Sequence, residues 1–140
     1  MNQLKQKAKR LCGDTIVFTG FRPDVKQVYR ELDVAVHPSL SENLGGAAES
    51  MAAGVPTIST SIGGFPDIVR HDRTGLLVPP KDPEQLAKAI LQILSNRVIA
   101  RSMADKGREL VRKLLDLENT GNTVLNMYKK IIGGKAYERC

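Results

Sequence analysis

"VAVHPSLSENLGGAAESMAAGVPTIST", residues 34–60, decides the fold. The apolar run "VAVH" (34–37) stops at Pro38, "GGAAESMAAG" (45–54) is a stretch of small helix formers closed by Gly54, and "TIST" (57–60) brings β-branched residues back after Pro56. Strand, loop, helix and strand in that order make a β-α-β unit. The two strands of such a unit run parallel, because the intervening helix carries the chain back across the sheet.

The alternation extends in both directions. Upstream, Leu4, Ala8 and Leu11 predict a helix over residues 2–12 stopped by Gly13, "TIVF" (15–18) predicts a strand, and Val25, Val28, Tyr29 and Leu32 give helical spacing through "DVKQVYREL". Downstream, "PDIVRH" (66–71) predicts a short helix entered through Gly63 and Gly64, and "GLLV" (75–78) a fourth strand closed by Pro79 and Pro80. No strand is expected after that. Residues 83–95 form an amphipathic helix with Asp82 as N-cap and Pro83 in its first turn. Residues 97–115 and 122–132 give two more helices, with Gly107 a weak point inside the first.

Uninterrupted apolar runs such as "VAV" and "LLV" imply strands buried on both faces. The fold class is therefore α/β, a doubly wound, Rossmann-like parallel sheet sheathed by helices. Residues 1–132 are expected to form one domain and residues 133–140 a frayed tail. A chain that opens on a helix, with only four strands, reads as a piece of a larger protein. Its uncovered sheet edge invites self-association.

Composition narrows the function. Twenty-one Lys and Arg against fifteen Asp and Glu leave a net charge of +6, which favours an anionic partner. Much of that charge falls on the outer faces of helices, where solvation accounts for it. Aromatic residues make up 4% and Trp is absent, so the stacking platform of a single-strand binder is missing and nucleic acid is not the expected partner. Cys12 and Cys140 stand at opposite ends of the chain without metal-ligand spacing, so no metal is expected. Neither a signal peptide nor a membrane span is present in the sequence, and the expected location is the cytoplasm, with peripheral membrane attachment left open for a longer enzyme.

In doubly wound folds ligands sit beyond the carboxyl ends of the strands. That rule selects "TGFRPD", "HPSLSENLGG" and "TSIGGFP" as candidate loops. Gly45 and Gly46 mark a helix start where main-chain N–H groups can meet an anion without a Lys, each hydrogen bond to a charged oxygen contributing about 1.5–3 kcal/mol. Glu42 is then left in the loop and Glu49 in the first turn. A first-turn acid needs no ligand to explain it, since the helix dipole favours it there. Beside a phosphate, however, a carboxylate is better employed accepting hydrogen bonds from neutral hydroxyls. A nucleotide sugar offers a diphosphate to the amides and ribose and sugar hydroxyls to the two carboxylates.

These residues also resemble the GT-B glycosyltransferases of the group often called family 4. The resemblance runs from about residue 3 to residue 132 through "VFTGFRPD", "HPSLSENLGGAAESMAAGVPTIST", "GGFPDIV" and "TGLLVPPKDPEQLAKAI". It implies the C-terminal, donor-binding half of an enzyme that transfers a sugar from a nucleotide diphosphate sugar with retention, without cofactor or metal. It further implies that Glu49 binds the ribose, that amides around Leu44, Gly45 and Gly46 meet the donor, and that Phe21 and Arg22 lie near the base. The family's first glutamate approaches the donor sugar, which makes Glu42 the catalytic candidate. The spacing differs from the family pattern, because Glu42 precedes Glu49 by seven residues instead of eight. Either Glu42 reaches the sugar from a shorter loop, or Ser41 and Asn43 supply those hydrogen bonds. The family's basic pair and its acceptor-binding N-terminal domain belong upstream of residue 1, so the isolated chain is expected to bind nucleotide without turning over. The alternative is a noncatalytic module that binds a nucleotide or a partner.

Overall fold

The computed structural model describes residues 2–41 and 44–133. Three parallel strands, β1 (Ala35–His37), β2 (Thr57–Thr60) and β3 (Leu76–Val78), pair in sequence order, with Val36 opposite Ile58 and Ile58 opposite Leu76. Ahead of them come α1 (Asn2–Cys12) and α2 (Val25–Arg30). Helix α3 (Gly45–Ala52) joins β1 to β2, and α4 (Phe65–Ile68) joins β2 to β3. Helices α5 (Pro83–Ser95), α6 (Arg97–Leu114) and α7 (Leu117–Gly133) complete the described chain.

Both faces of the sheet are covered, as the doubly wound reading requires. On one face Ile58, Leu76 and Val78 pack with Ala89 and Ile93 of α5 and with Ala100 and Met103 of α6. On the other, Ala47 and Met51 of α3 and Phe65 and Ile68 of α4 pack with Val69 and with Val111 of α6. Strand residues alternate between these faces with period two, which is why Ile58 belongs to one cluster and Leu77, beside it in register with Ser59, borders the other. Burying an aliphatic side chain of this size contributes roughly 1.5–3 kcal/mol.

Helix α6 runs beneath the amino-terminal ends of the strands. A Cβ at Gly107 would stand 2.8 Å from the carbonyl oxygen of Thr74 and 3.0 Å from Met51 Cε. Gly107 is therefore a point of close backbone approach, and the expectation of a weak point is corrected: the missing side chain is what lets α6 reach the turn before β3.

Other boundaries move for local reasons. Residues 15–18 form no strand, and Ile16 and Val17 are 45% and 78% exposed. A β-branched run becomes a strand only where a neighbour offers it a ladder, and no described strand lies alongside this one. The sheet thus has three described strands instead of four. The helix expected over 66–71 stops at Ile68, where Val69 turns extended (φ −91°, ψ 97°) to bury its side chain completely. Helix α7 starts earlier than expected because the Asp116 carboxylate accepts hydrogen bonds from the N–H groups of Glu118 (3.0 Å) and Asn119 (3.2 Å). The tail beyond Gly133 lies outside the described residues.

Candidate functional site

The carboxyl ends of β1 and β2 face the start of α3, and the local chemistry there is built on small residues. Leu44, the N-cap, adopts the left-handed conformation (φ 79°), and its carbonyl accepts the N–H of Ala48 at 2.9 Å. This conformation is costly for a residue with a Cβ, by about 1–2 kcal/mol, so its surroundings must hold it. The end of the Leu44 side chain packs on Gly64 at the entrance to α4, where a Cβ would stand 2.9 Å from Leu44 Cγ and push the leucine aside.

Behind the helix start, the His37 ring packs on Gly46 and its Nε2 lies 3.1 Å from Ser50 Oγ. Ser50 Oγ also lies 3.0 Å from the Ala47 carbonyl and 3.0 Å from Thr57 Oγ1, which in turn donates to the Val55 carbonyl at 2.9 Å. Ser50 and Thr57 are fully buried. This chain of hydroxyls ties the last residue of β1, the middle of α3 and the first residue of β2 to one another. Ser59, on the same face of β2, is enclosed differently: its Oγ has no hydrogen-bond partner among the described residues.

Glu49 is the fifth residue of α3, one turn beyond its start, and no acid occupies the first turn. The reading of Glu49 as a first-turn acid is thereby corrected, and the helix dipole does not account for it. Its exposed carboxylate lines a groove of about 340 Å³ shared with Val25 and Tyr29 of α2 and with Ala52 and Ala53. Burial raises the Tyr29 phenol above its ordinary pKa, and the negative charge of Glu49 raises it further. Lys26 and Arg30 line the α2 wall beside Val25 and Tyr29, so the groove sets apolar surface and two cations opposite an acceptor-only carboxylate, a combination suited to a ring that bears hydroxyls and a nearby anion.

Phe21 is 93% exposed in the loop before α2. Arg22 is engaged with Asp24 through a two-pronged contact, Nε to Oδ1 at 2.7 Å and Nη2 to Oδ2 at 2.6 Å. The guanidinium consequently holds the Asp24 carboxyl below its usual range, and the carboxylate raises Arg22. Arg22 is thus committed to shaping the loop that caps α2. Ser41 is exposed at the surface of the loop after β1. Glu42 and Asn43 lie outside the described residues.

The structure therefore brings Leu44, Gly45, Gly46 and Glu49 together on α3 and sets Phe21 and Arg22 at the entrance to the helix that forms the other wall of the Glu49 groove. Sequence reasoning overlooked Tyr29 and Val25 as groove residues, although their four-residue separation already put them on one face of a helix. It also overlooked Ser50, whose position beside Glu49 was the available signal. No cluster of three His, Cys, Asp or Glu able to hold a metal occurs among the described residues, and Cys12 carries an exposed thiol. No described helix is long and apolar enough to cross a membrane.

Comparison with known proteins gives this arrangement a context. The model of the family described as glycosyl transferases group 1 matches residues 1–96. The chain is 32% identical over 117 residues to the uncharacterized glycosyltransferase MJ1607 of Methanocaldococcus jannaschii, covering 81% of this chain and 30% of that protein. It superposes on sucrose-phosphate synthase from Thermosynechococcus elongatus with a TM-score of 0.82 and 32% identity, covering 96% of this chain and 35% of the synthase. HepE from Anabaena, crystallised with UDP-glucose, shares the fold at a TM-score of 0.83 and 23% identity, covering 92% of this chain and 36% of HepE. The chain spans about a third of the length of these proteins.

Proposed function

Because the chain belongs to the glycosyl transferases group 1 family, we propose that it forms the C-terminal, donor-binding part of a family 4 enzyme that transfers a sugar from a nucleotide diphosphate sugar with retention. The observation that carries this reading is the Glu49 carboxylate, one turn beyond the Gly45-Gly46 helix start and beside the Tyr29 groove. In this reading the amides at the start of α3 receive the diphosphate, and Glu49 accepts hydrogen bonds from the ribose hydroxyls. Stabilising negative charge on the departing diphosphate is the catalytic contribution of such a helix start. By resemblance to the family, Glu42, or Ser41 and Asn43 in its place, would serve the donor sugar, and Phe21 and Arg22 the base. In this reading the 140 residues supply the donor side of the reaction, and the acceptor site belongs to an N-terminal domain of the kind the family resemblance implies. The crystal structure of HepE with UDP-glucose supports a nucleotide sugar as the ligand of this fold.

Calorimetric titration with UDP, GDP and ADP tests the reading. One nucleotide is expected to bind, and Glu49→Ala to weaken it by about tenfold or more, the loss of hydrogen bonds to a charged group. A folded chain that binds none of the three, or a Glu49→Ala variant that binds equally well, would overturn it.

A further inference from the structure

A second groove, of about 540 Å³, opens at the end of the sheet opposite the Gly45-Gly46 helix start and meets the Glu49 groove at Ala53. It is bounded by the segments that lead into β1 and β2 and by α6. Arg97, Arg101 and Arg108 line it from α6, and at 100° per residue they fall within about 40° of one another around the helix. Buried Ala100 and Ala104 provide the floor, and Gly54 leaves room for the stem of Arg108, whose Cδ would lie 3.6 Å from a Cβ placed there. Asp33 and Asp105 line the same groove.

Among the described residues, the side chains of these three arginines and two aspartates form no hydrogen bond or ion pair, with each other or with anything else. The groove therefore presents three uncommitted guanidinium forks and two uncommitted carboxylates, one net positive charge. The electrostatic setting adds to this. Arg97 is the first residue of α6, whose cap is the neutral Asn96 and whose first turn contains no acid, so the positive helix end and the arginines reinforce one another. Along the axis Arg97 and Arg108 stand about 16 Å apart, too far for a single phosphate to engage both backbone positions directly.

We propose that this groove binds a phosphorylated polyol, with phosphate groups held by Arg97, Arg101 and Arg108 and hydroxyls donating to Asp33 and Asp105. Arginine forks match phosphate oxygens two at a time. Ionised carboxylates can only accept, so hydroxyls complement them where a bare polyphosphate would be repelled. The site adjoins the Glu49 groove at Ala53 but shares none of its charged side chains, and it does not depend on the donor reading.

The test is calorimetric titration of the chain with fructose 1,6-bisphosphate, fructose, inorganic phosphate, and vesicles containing phosphatidylglycerol, whose headgroup is also a phosphorylated polyol. The bisphosphate is expected to bind with UDP present or absent, and Arg101→Ala with Arg108→Ala to weaken it at least about tenfold while leaving UDP titrations unchanged. Asp33→Asn with Asp105→Asn is expected to weaken the bisphosphate more than inorganic phosphate. Binding to vesicles without binding to the free bisphosphate would assign the polyol to a lipid headgroup, provided the same arginine variants abolish it. A folded chain that binds neither would overturn the proposal. So would binding that survives the arginine changes, or binding that tightens when the carboxylates are neutralised.

Discussion

The His37 imidazole lies against Gly46 so closely that a Cβ on the glycine would stand 3.1 Å from Nδ1 and 3.2 Å from Cε1. Alanine favours a helix over glycine by about 1 kcal/mol, so Gly46→Ala alone should help α3. The ring cannot give way freely, because Nε2 is held to Ser50. Gly46→Ala is therefore expected to destabilise the chain by about 1 kcal/mol, and to stabilise it when His37→Ala is also present. Denaturant unfolding of the four proteins of the cycle measures this, and stabilisation in both backgrounds would show that the ring does not constrain the helix start.

Two buried serines should respond with opposite signs. Ser50 connects His37, Thr57 and the Ala47 carbonyl, and Ser50→Ala is expected to cost about 1–3 kcal/mol. Ser59 encloses a hydroxyl without a partner, so Ser59→Ala should be neutral or stabilising by up to about 1 kcal/mol. Urea midpoints compared at equal slope decide the matter, and equal losses at both positions would contradict this account.

Helical glycines offer a second contrast. At Gly107 a Cβ meets the Thr74 carbonyl oxygen at 2.8 Å, whereas at Gly121 in α7 nothing lies within 4 Å. Gly107→Ala is expected to lower stability by about 1–3 kcal/mol through overpacking against the main chain. Gly121→Ala should raise it by about 0.5–1 kcal/mol, the intrinsic preference of a helix. Thermal melts showing both variants stabilised would remove the close approach of α6 to the turn before β3 as an explanation.

Tyr29 reports on Glu49 without any ligand. Its phenol is raised first by burial and then by the carboxylate, so Glu49→Gln should move its titration back toward the ordinary value without restoring it fully. A raised folded-state pKa contributes stability that is complete below the unfolded value, about 10, and is lost as pH rises through the folded value. Ultraviolet difference titration, with Tyr29→Phe identifying the transition, measures both. An unchanged Tyr29 titration in Glu49→Gln would mean that the two side chains do not share the groove.

Much of this arrangement was legible in residues whose meaning is local. Asp82 and Pro83 start α5 at the expected place because a cap and a fixed φ act within one turn, and Asp82 Oδ1 does accept the N–H of Gln85 at 3.0 Å. The strands within 34–37 and 75–78 were visible as unbroken apolar runs because both their faces are covered, and 57–60 as a β-branched run after Pro56. "TIVF" reads identically yet pairs with nothing described, since a strand depends on a neighbour distant in sequence. The left-handed Leu44 gave no warning, because the glycine on which its side chain packs lies twenty residues away at Gly64. Glu49 was placed in the first turn because two consecutive glycines do not say which of them begins the helix, and a start at Gly45 makes it the fifth residue, just past that turn.

Helix α6 touches one hydrophobic layer through Ala100 and Met103 and the other through Val111. A single rigid rod is thus shared by two half-cores that the sheet otherwise keeps apart. Neither layer can open while the rod stays seated, and once it lifts both lose a wall at the same moment. Amide protons on the two faces should therefore exchange as one slow population, with the sheet behaving as a filling between layers that melt together.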